Sequence, residues 1–399
     1  MGGDGTDLSR HWTLDPEIIF LNHGSFGACP SPVLAAQRRV REQMEREPVR
    51  FLTRVAPLLL AEAREVLGRF LGASPEDLAF VPNATTGLNA VLQSLPLAAG
   101  DELLVTDHEY NASRNALEYV ATRQGARVVV VSIPFPIAGA DSIFESVLRG
   151  VTSKTRLALL DHVTSQTALV LPIGALIGEL EGRGVRVLID GAHAPGMLDL
   201  DIDGLGASYY TGNCHKWICA PKGAGFLWVR EDRREGVRPA VISHGANAPV
   251  PISERFRAEF DWMGTSDPSA ALAVPEAIRF LGGLLPGGWQ EIRSRNRALA
   301  LEGRRLLAGA LEVELPCPDE LIGSMAAIAL PASSRFPIPE RNHAFASNPL
   351  HDALFREHRI EVPVLLDPAG KTRLVRVSAQ LYNTRDDYER LAEAILALR

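Results

Sequence analysis

Between residues 78 and 229, short apolar runs recur with helix-length segments between most of them. The runs are Leu78–Val81, Glu102–Thr106, 127–134, 156–163, 186–190 and Gly225–Val229, and segments such as 86–95 and 113–123 separate them. This alternation leaves a chain few options. It predicts an α/β fold with a mainly parallel, doubly wound sheet. The runs are apolar almost throughout, as strands covered on both faces must be. In such a sheet ligands bind at the carboxyl ends of the strands, so the residues that follow each run are the ones to read for chemistry.

The flanks differ in texture. Residues 1–30 read as irregular and 33–71 as helical, with apolar residues spaced three and four apart. Beyond about residue 270 a long helical stretch is broken by the Gly- and Pro-containing 282–288 segment. Apolar runs at 326–330 and 373–378 then predict strands of a smaller α+β unit. Four prolines in 331–351 predict an exposed loop. The expected division is an N-terminal segment 1–30, a large domain 31–270 and a small domain 271–399.

A net charge of −7 argues against nucleic acid or an anionic membrane surface as partner. No apolar run approaches the ~20 residues that span a bilayer. The polar, acidic start Met-Gly-Gly-Asp-Gly-Thr-Asp predicts no secretory leader. Cys29, Cys214, Cys219 and Cys317 are scattered, which points to a reducing cytoplasm.

Lysine is scarce: Lys154, Lys216, Lys222 and Lys371 are the whole set, against 41 basic residues in all. Lys216 lies in Tyr210-Thr-Gly-Asn213-Cys-His215-Lys216-Trp217, shortly after a run that ends Asp190-Gly-Ala-His193. An acid able to pair with a pyridinium, and a lysine able to form an imine, are the minimum equipment for pyridoxal phosphate chemistry. The other strand ends add to this. After Leu78–Val81, Asn83-Ala84-Thr85-Thr86-Gly87 opens a helix, and a helix N-terminus favours a phosphate. Tyr110, after the second run, offers a ring to stack on a flat heteroaromatic. Ser165, after the fourth, is a candidate donor to a cofactor hydroxyl, and His193 a candidate partner of its phenolic oxygen. Arg376, on an apolar run, needs an anion, and a substrate carboxylate held bidentately is one. Each feature alone also has an ordinary explanation: a turn acid, a solvated lysine, an N-cap, a surface tyrosine, a structural ion pair. Their conjunction does not. The chain lacks Gly-x-x-x-x-Gly-Lys-Ser/Thr, so no P-loop is present. Cys214, His215 and Cys219 lack the paired spacing of a zinc site.

These motifs in this order resemble the class V aminotransferase family, a branch of the fold-type-I pyridoxal phosphate enzymes that includes the cysteine desulfurases. The resemblance covers essentially the whole chain. Leu21-Asn22-His23-Gly-Ser-Phe-Gly27, Glu47-Pro-Val-Arg-Phe51, Thr106-Asp-His-Glu-Tyr110, Gly212-Asn-Cys-His-Lys-Trp217, Ala220-Pro-Lys-Gly223 and Trp262-Met-Gly-Thr265-Ser-Asp267 are most similar to the isopenicillin N epimerase-like subgroup. The resemblance implies that Lys216 is the Schiff-base lysine, that Asp190 pairs with the pyridine nitrogen and that Tyr110 stacks on the ring. It places Ser165 and His193 at the ring oxygen, and Ala84, Thr85, Thr86, Asn213 and His215 on the phosphate side. Arg376 takes the substrate carboxylate, with Asn22 and His23 brought to the substrate by the N-terminal segment. Thr265 reaches the phosphate of a neighbouring subunit, which implies a homodimer with shared active sites. One departure stands out: residues 360–375 contain no Cys, which disfavours a persulfide-relay desulfurase.

The implied reaction acts at the α-carbon of an amino acid or peptide-like substrate. Epimerisation or racemisation is the first expectation. β-Elimination by a carbon–sulfur lyase is the second and transamination the third. A catalytically silent cofactor-binding protein is the non-enzymatic alternative, and no extra domain or basic patch supports it.

Overall fold

The structure is a computed structural model and is described over residues 8–333, 335–338 and 348–398. In chain order its strands are β1 (Ile19–Phe20), β2 (Leu78–Val81), β3 (Glu102–Thr106), β4 (Arg127–Val131), β5 (Thr155–Asp161), β6 (Arg186–Gly191), β7 (Tyr209–Asn213), β8 (Gly225–Val229), β9 (Met325–Ala329), β10 (Ile360–Glu361), β11 (Val364–Leu366) and β12 (Arg373–Ser378).

β2 to β8 form one sheet in the order β2-β8-β7-β6-β5-β3-β4. β8 alone runs against its neighbours β2 and β7, and every other pairing is parallel. The mainly parallel sheet expected from the alternation is therefore present. The reversal has a simple cause. Residues 214–224 join β7 to β8, and a parallel crossover needs a dozen or more residues, usually with a helix. All of β2, β3, β7 and β8 is buried, which is why β2, β8 and the middle of β3 carry apolar side chains on both faces. The 127–134 run was expected to be such a strand. β4 is instead the sheet edge, it stops at Val131, and Val131 is its only buried residue.

One strand escaped the sequence reading. β7 is Tyr-Tyr-Thr-Gly-Asn, too polar and too glycine-rich to read as an apolar run. It is buried because Thr211 Oγ1 donates inward to the Phe226 carbonyl (2.9 Å) and the Asn213 carboxamide accepts from the Ala84 amide (2.8 Å).

β9, β11 and β12 form a second, antiparallel sheet in the order β11-β12-β9. The helices Gly288–Leu311 and Arg385–Ala397 pack on each other, and the first also packs on β9. β1 pairs in parallel with β10, Ile19 opposite Ile360 and Phe20 opposite Glu361. This ties the irregular N-terminal segment to the C-terminal unit. The expected loop at 331–351 falls in part outside the described residues. Within them, Phe336 is buried and a helix begins at Pro349, so the exposed-loop reading does not hold throughout. Among the described residues no helix is long and apolar enough to cross a membrane.

Candidate active site

The short β7–β8 connection carries Lys216. The N-terminal segment presses on it from outside: a Cβ at Gly27 would lie 2.2 Å from the His215 carbonyl oxygen, and the φ of +68° there also favours glycine. Lys216 Nζ lies 3.1 Å from His193 Nε2, and among the described residues it joins no ion pair. Burial, helped by the positive charge of Arg376, pulls its ammonium down to about 7, against the opposing pull of Asp190 and Asp161. A lysine in this state is a nucleophile and a base near neutrality. His193 is buried, and burial holds its imidazole well below the usual range, so it is neutral. Its Nδ1 has no hydrogen-bond partner among the described residues.

Asp190 stands at the end of β6, in register with Asp161 on β5 and Thr211 on β7. Its carboxylate accepts from the Ser113 hydroxyl (2.8 Å) and the Ala192 amide (3.0 Å). Glu109 and Asp161 crowd it, and an oxygen of each of the three carboxyls lies within 4.8 Å of the others. Tyr110, next to Glu109, caps the helix Asn111–Gln124 and remains 46% exposed, which leaves a ring free to cover a cofactor.

The helix Ala84–Ser94 starts at the end of β2. Asn83 caps it, accepting from the Thr86 amide (2.9 Å) and hydroxyl (3.1 Å), while Asn213 takes the Ala84 amide. The Thr85 amide, in the first turn, has no acceptor within its own helix and is placed for an anion. His215 donates Nδ1–H to the Ala224 carbonyl (2.9 Å).

Arg376 lies on the central strand of the small sheet, opposite Ala327, and is 3% exposed. Its guanidinium donates to the Ser165 carbonyl (2.5 Å) and hydroxyl (3.3 Å) and to the Ser25 hydroxyl (2.9 Å), and its Nε has no partner. No carboxylate pairs with it among the described residues, so the structural ion-pair explanation fails. Ser165 thus sits against Arg376, with its O–H proton still available to donate.

Two residues expected at the substrate make their hydrogen bonds within the chain. Asn22 and His23 were expected at the substrate, and both are engaged inward. Asn22 donates to Glu361 (2.7 Å) and accepts from Ser25 (2.5 Å), so it supports Arg376 at one remove. His23 donates Nε2–H to the Lys216 carbonyl (3.0 Å) and accepts at Nδ1 from Tyr382 (2.8 Å). Burial pulls His23 down to about 3, so it is neutral and locked behind the lysine rather than open to a substrate. Thr265 lies exposed in the loop after the helix Ile252–Asp261.

Comparison with known proteins settles the family. The model described as Aminotransferase class-V matches residues 29–332. The chain belongs to the class V aminotransferase family. It is 40% identical to an isopenicillin N epimerase of Amycolatopsis lactamdurans, over 97% of this chain and 96% of that one. It is 36% identical to the same enzyme of Streptomyces clavuligerus, over 99% and 98%. A probable L-cysteine desulfhydrase of Arabidopsis thaliana is 33% identical, over 98% and 85%. Among solved structures, a cysteine desulfurase of Escherichia coli matches with a TM-score of 0.76 at 19% identity, over 100% and 99% of the two chains. A lyase variant with glycine covalently linked to its pyridoxal phosphate cofactor matches with a TM-score of 0.77 at 21% identity, over 98% and 99%. These last two establish the fold-type-I architecture.

As a class V family member the protein is a pyridoxal phosphate enzyme, and its own residues fit the cofactor. Lys216 is buried and without a counter-ion, His193 Nδ1 is orphaned, and the Ala84–Ser94 helix opens toward an anion. Lys216 and Asp190 would hold the two ends of the ring system. The sequence reading missed Ser113, Glu109, Asp161 and Ser25. For Asp161 a signal existed, since it lies near the end of one predicted run as Asp190 ends the next. That the two strands are neighbours is a property of the fold, not of the string of residues.

Proposed function

We propose that this protein is an epimerase or racemase acting at the α-carbon of an amino acid or amino-acid-derived substrate. The observation that carries this reading is the pairing of Lys216, a near-neutral buried amine, with Arg376, a buried guanidinium without a carboxylate. Full-length similarity to two isopenicillin N epimerases supports it. When bound, pyridoxal phosphate supplies the electron sink that makes an α-proton removable. The chain supplies the rest. Arg376 holds the substrate carboxylate with the geometry of a fork. Lys216 takes the α-proton on its own face. Asp190, ionised, keeps a proton on the ring nitrogen. Epimerisation then needs a proton donor on the opposite face, and Tyr110 is the residue we assign there.

The test is α-hydrogen exchange in deuterated water over a panel of amino acids, with chiral analysis of the products. Tyr110→Phe should retain exchange and lose interconversion of enantiomers by about 10²-fold, the low end for an acid–base group. Unchanged interconversion in that variant would remove Tyr110 from the acid role. The second reading is a carbon–sulfur lyase, favoured by the similarity to desulfhydrases. Pyruvate and ammonia released from a sulfur-bearing substrate, without any epimer, would replace the first reading with the second. Transamination would appear instead as a keto acid with the cofactor left in its amine form.

We further infer a cytoplasmic homodimer with shared sites. Val49, Leu58, Val241, Ile242 and Ile252 are large apolar side chains left exposed on the single chain, which suits a subunit interface. Thr265, exposed on its loop, is assigned to the phosphate site of the partner. All four cysteines are free and buried, in keeping with a reducing compartment. Mixed and reassembled Lys216→Ala and Thr265→Ala proteins should regain activity, since one of the two sites in a hybrid carries neither lesion. A fully active monomer in analytical ultracentrifugation would contradict the dimer.

A further inference from the structure

Behind Asp190 lies a group of carboxyls that the chemistry above does not use. Glu109 (β3–helix turn) and Asp161 (end of β5) are 7% and 3% exposed, and each has an oxygen buried with no hydrogen-bond partner, Glu109 Oε2 and Asp161 Oδ2. With Asp190 they place three carboxyl oxygens within 4.8 Å of one another in the protein interior. Like charges this close, out of water, cannot all persist, and a proton must enter. The donors present decide where it goes. Burial raises the Asp190 carboxyl as well, but Asp190 receives both the Ser113 hydroxyl and the Ala192 amide and faces the Lys216 charge, all of which favour its ionised form. Glu109 receives only the Tyr110 amide, at 3.1 Å, besides weak contacts to Ser113 and Asp161. The charged and titratable groups facing the cluster are Lys216 and, through its ring, Tyr210, whose hydroxyl is bonded to His162. Burial keeps His162 neutral and Tyr210 protonated, so neither supplies a balancing cation.

We propose that Glu109 and Asp161 are a positioning pair that shares a proton at neutral pH, so that one negative charge is spread over the pair while Asp190 stays fully ionised and is kept facing the ring nitrogen. Burial and the neighbouring carboxylates push both members of the pair well above the usual carboxyl range, in agreement with the geometry. The pair confines the negative charge to one side. With the proton lodged between Glu109 and Asp161, Asp190 has no competitor for its two donors and no reason to take the proton itself. The inference rests on the cofactor assignment and not on which reaction the enzyme performs.

The experiment needs no substrate. Infrared absorption spectra of the full-length protein, recorded separately with and without pyridoxal phosphate, should both contain the C=O stretch of a protonated carboxylic acid that persists through neutral pH. The band should vanish in Glu109→Gln/Asp161→Asn and persist in Asp190→Asn. If the double substitution does not fold, Asp161→Asn alone serves, because its amide N–H₂ replaces the shared proton as donor to Glu109. The melting temperature of the cofactor-free protein gives an independent reading. Groups whose folded pKa is raised lend stability that is fully present below their unfolded pKa and is lost as pH rises from there through the folded pKa. Wild type should therefore lose melting temperature from about pH 4 upward relative to the double variant. A wild-type spectrum without the band at neutral pH, a band retained in the double variant, or a band lost in Asp190→Asn would overturn the proposal. So would a stoichiometric divalent cation recovered by elemental analysis, since a cation would then hold the cluster in place of the proton.

Discussion

Replacing Lys216 with alanine is expected to abolish turnover, by about 10³-fold or more, while leaving the protein folded. The magnitude follows from the double role of the residue, as the covalent anchor of the cofactor and as the base on its face, where a positioned base alone contributes about 10²–10⁴. Borohydride reduction followed by peptide mapping should label Lys216 and leave Lys154, Lys222 and Lys371 unlabelled. A label on any of these three would sink the assignment. The depressed lysine pKa adds a pH signature. In the cofactor-free protein only the unprotonated amine reacts, so uptake of pyridoxal phosphate should speed up as pH rises through about 7 and level off above. For a lysine whose folded pKa lies below its unfolded value, the same shift also means that protonation at lower pH costs stability. Slow uptake at pH 9 would contradict both statements.

Asp190→Asn should lower the rate by roughly 10- to 100-fold, with much less loss of cofactor binding. The asparagine amide keeps the shape and a hydrogen bond to the ring nitrogen but removes the charge that holds a proton there. Hydrogen bonds to charged groups carry about 1.5–3 kcal/mol, which corresponds to that range. Stopped-flow measurement of α-hydrogen exchange, beside a cofactor titration, separates the two effects. A variant with wild-type exchange would remove Asp190 from the electron-sink role.

The sequence carried the sheet plainly where burial on both faces forces apolar residues, as in Leu78–Val81 and Gly225–Val229. It concealed β7, where Thr211 and Asn213 are buried on hydrogen bonds rather than on apolar contact. Asp190 and Arg376 stood out because each is a charged residue on an apolar run, and Lys216 because lysine is scarce and it follows the Asp190 run closely. Nothing in residues 22 and 23 reveals that their polar atoms turn inward. That depends on β1 meeting β10 more than three hundred residues away, a pairing without local pattern. Glu109 and Asp161 were hidden for the same reason, since parallel strand neighbours are chosen by crossovers and not by adjacency in the chain.

The settings of Arg376 have a consequence for the stability of the whole molecule. Its guanidinium is held by the Ser165 carbonyl and the Ser25 and Ser165 hydroxyls, all formally neutral, so the fold closes around a cation whose charge is unmatched. Burial drags that guanidinium down to about 10, against the opposing pull of Tyr110. An arriving carboxylate therefore relieves the native state and does nothing for the unfolded chain. By mass action such a ligand raises the free energy of unfolding by RT ln(1 + [L]/Kd). Because Ser25 belongs to the N-terminal segment and Arg376 to β12, the relief is felt by both ends of the polypeptide at once. On the assignment of Arg376 to the substrate carboxylate, small carboxylates should raise the melting temperature of this protein, and an ester or amide of the same substrate should not.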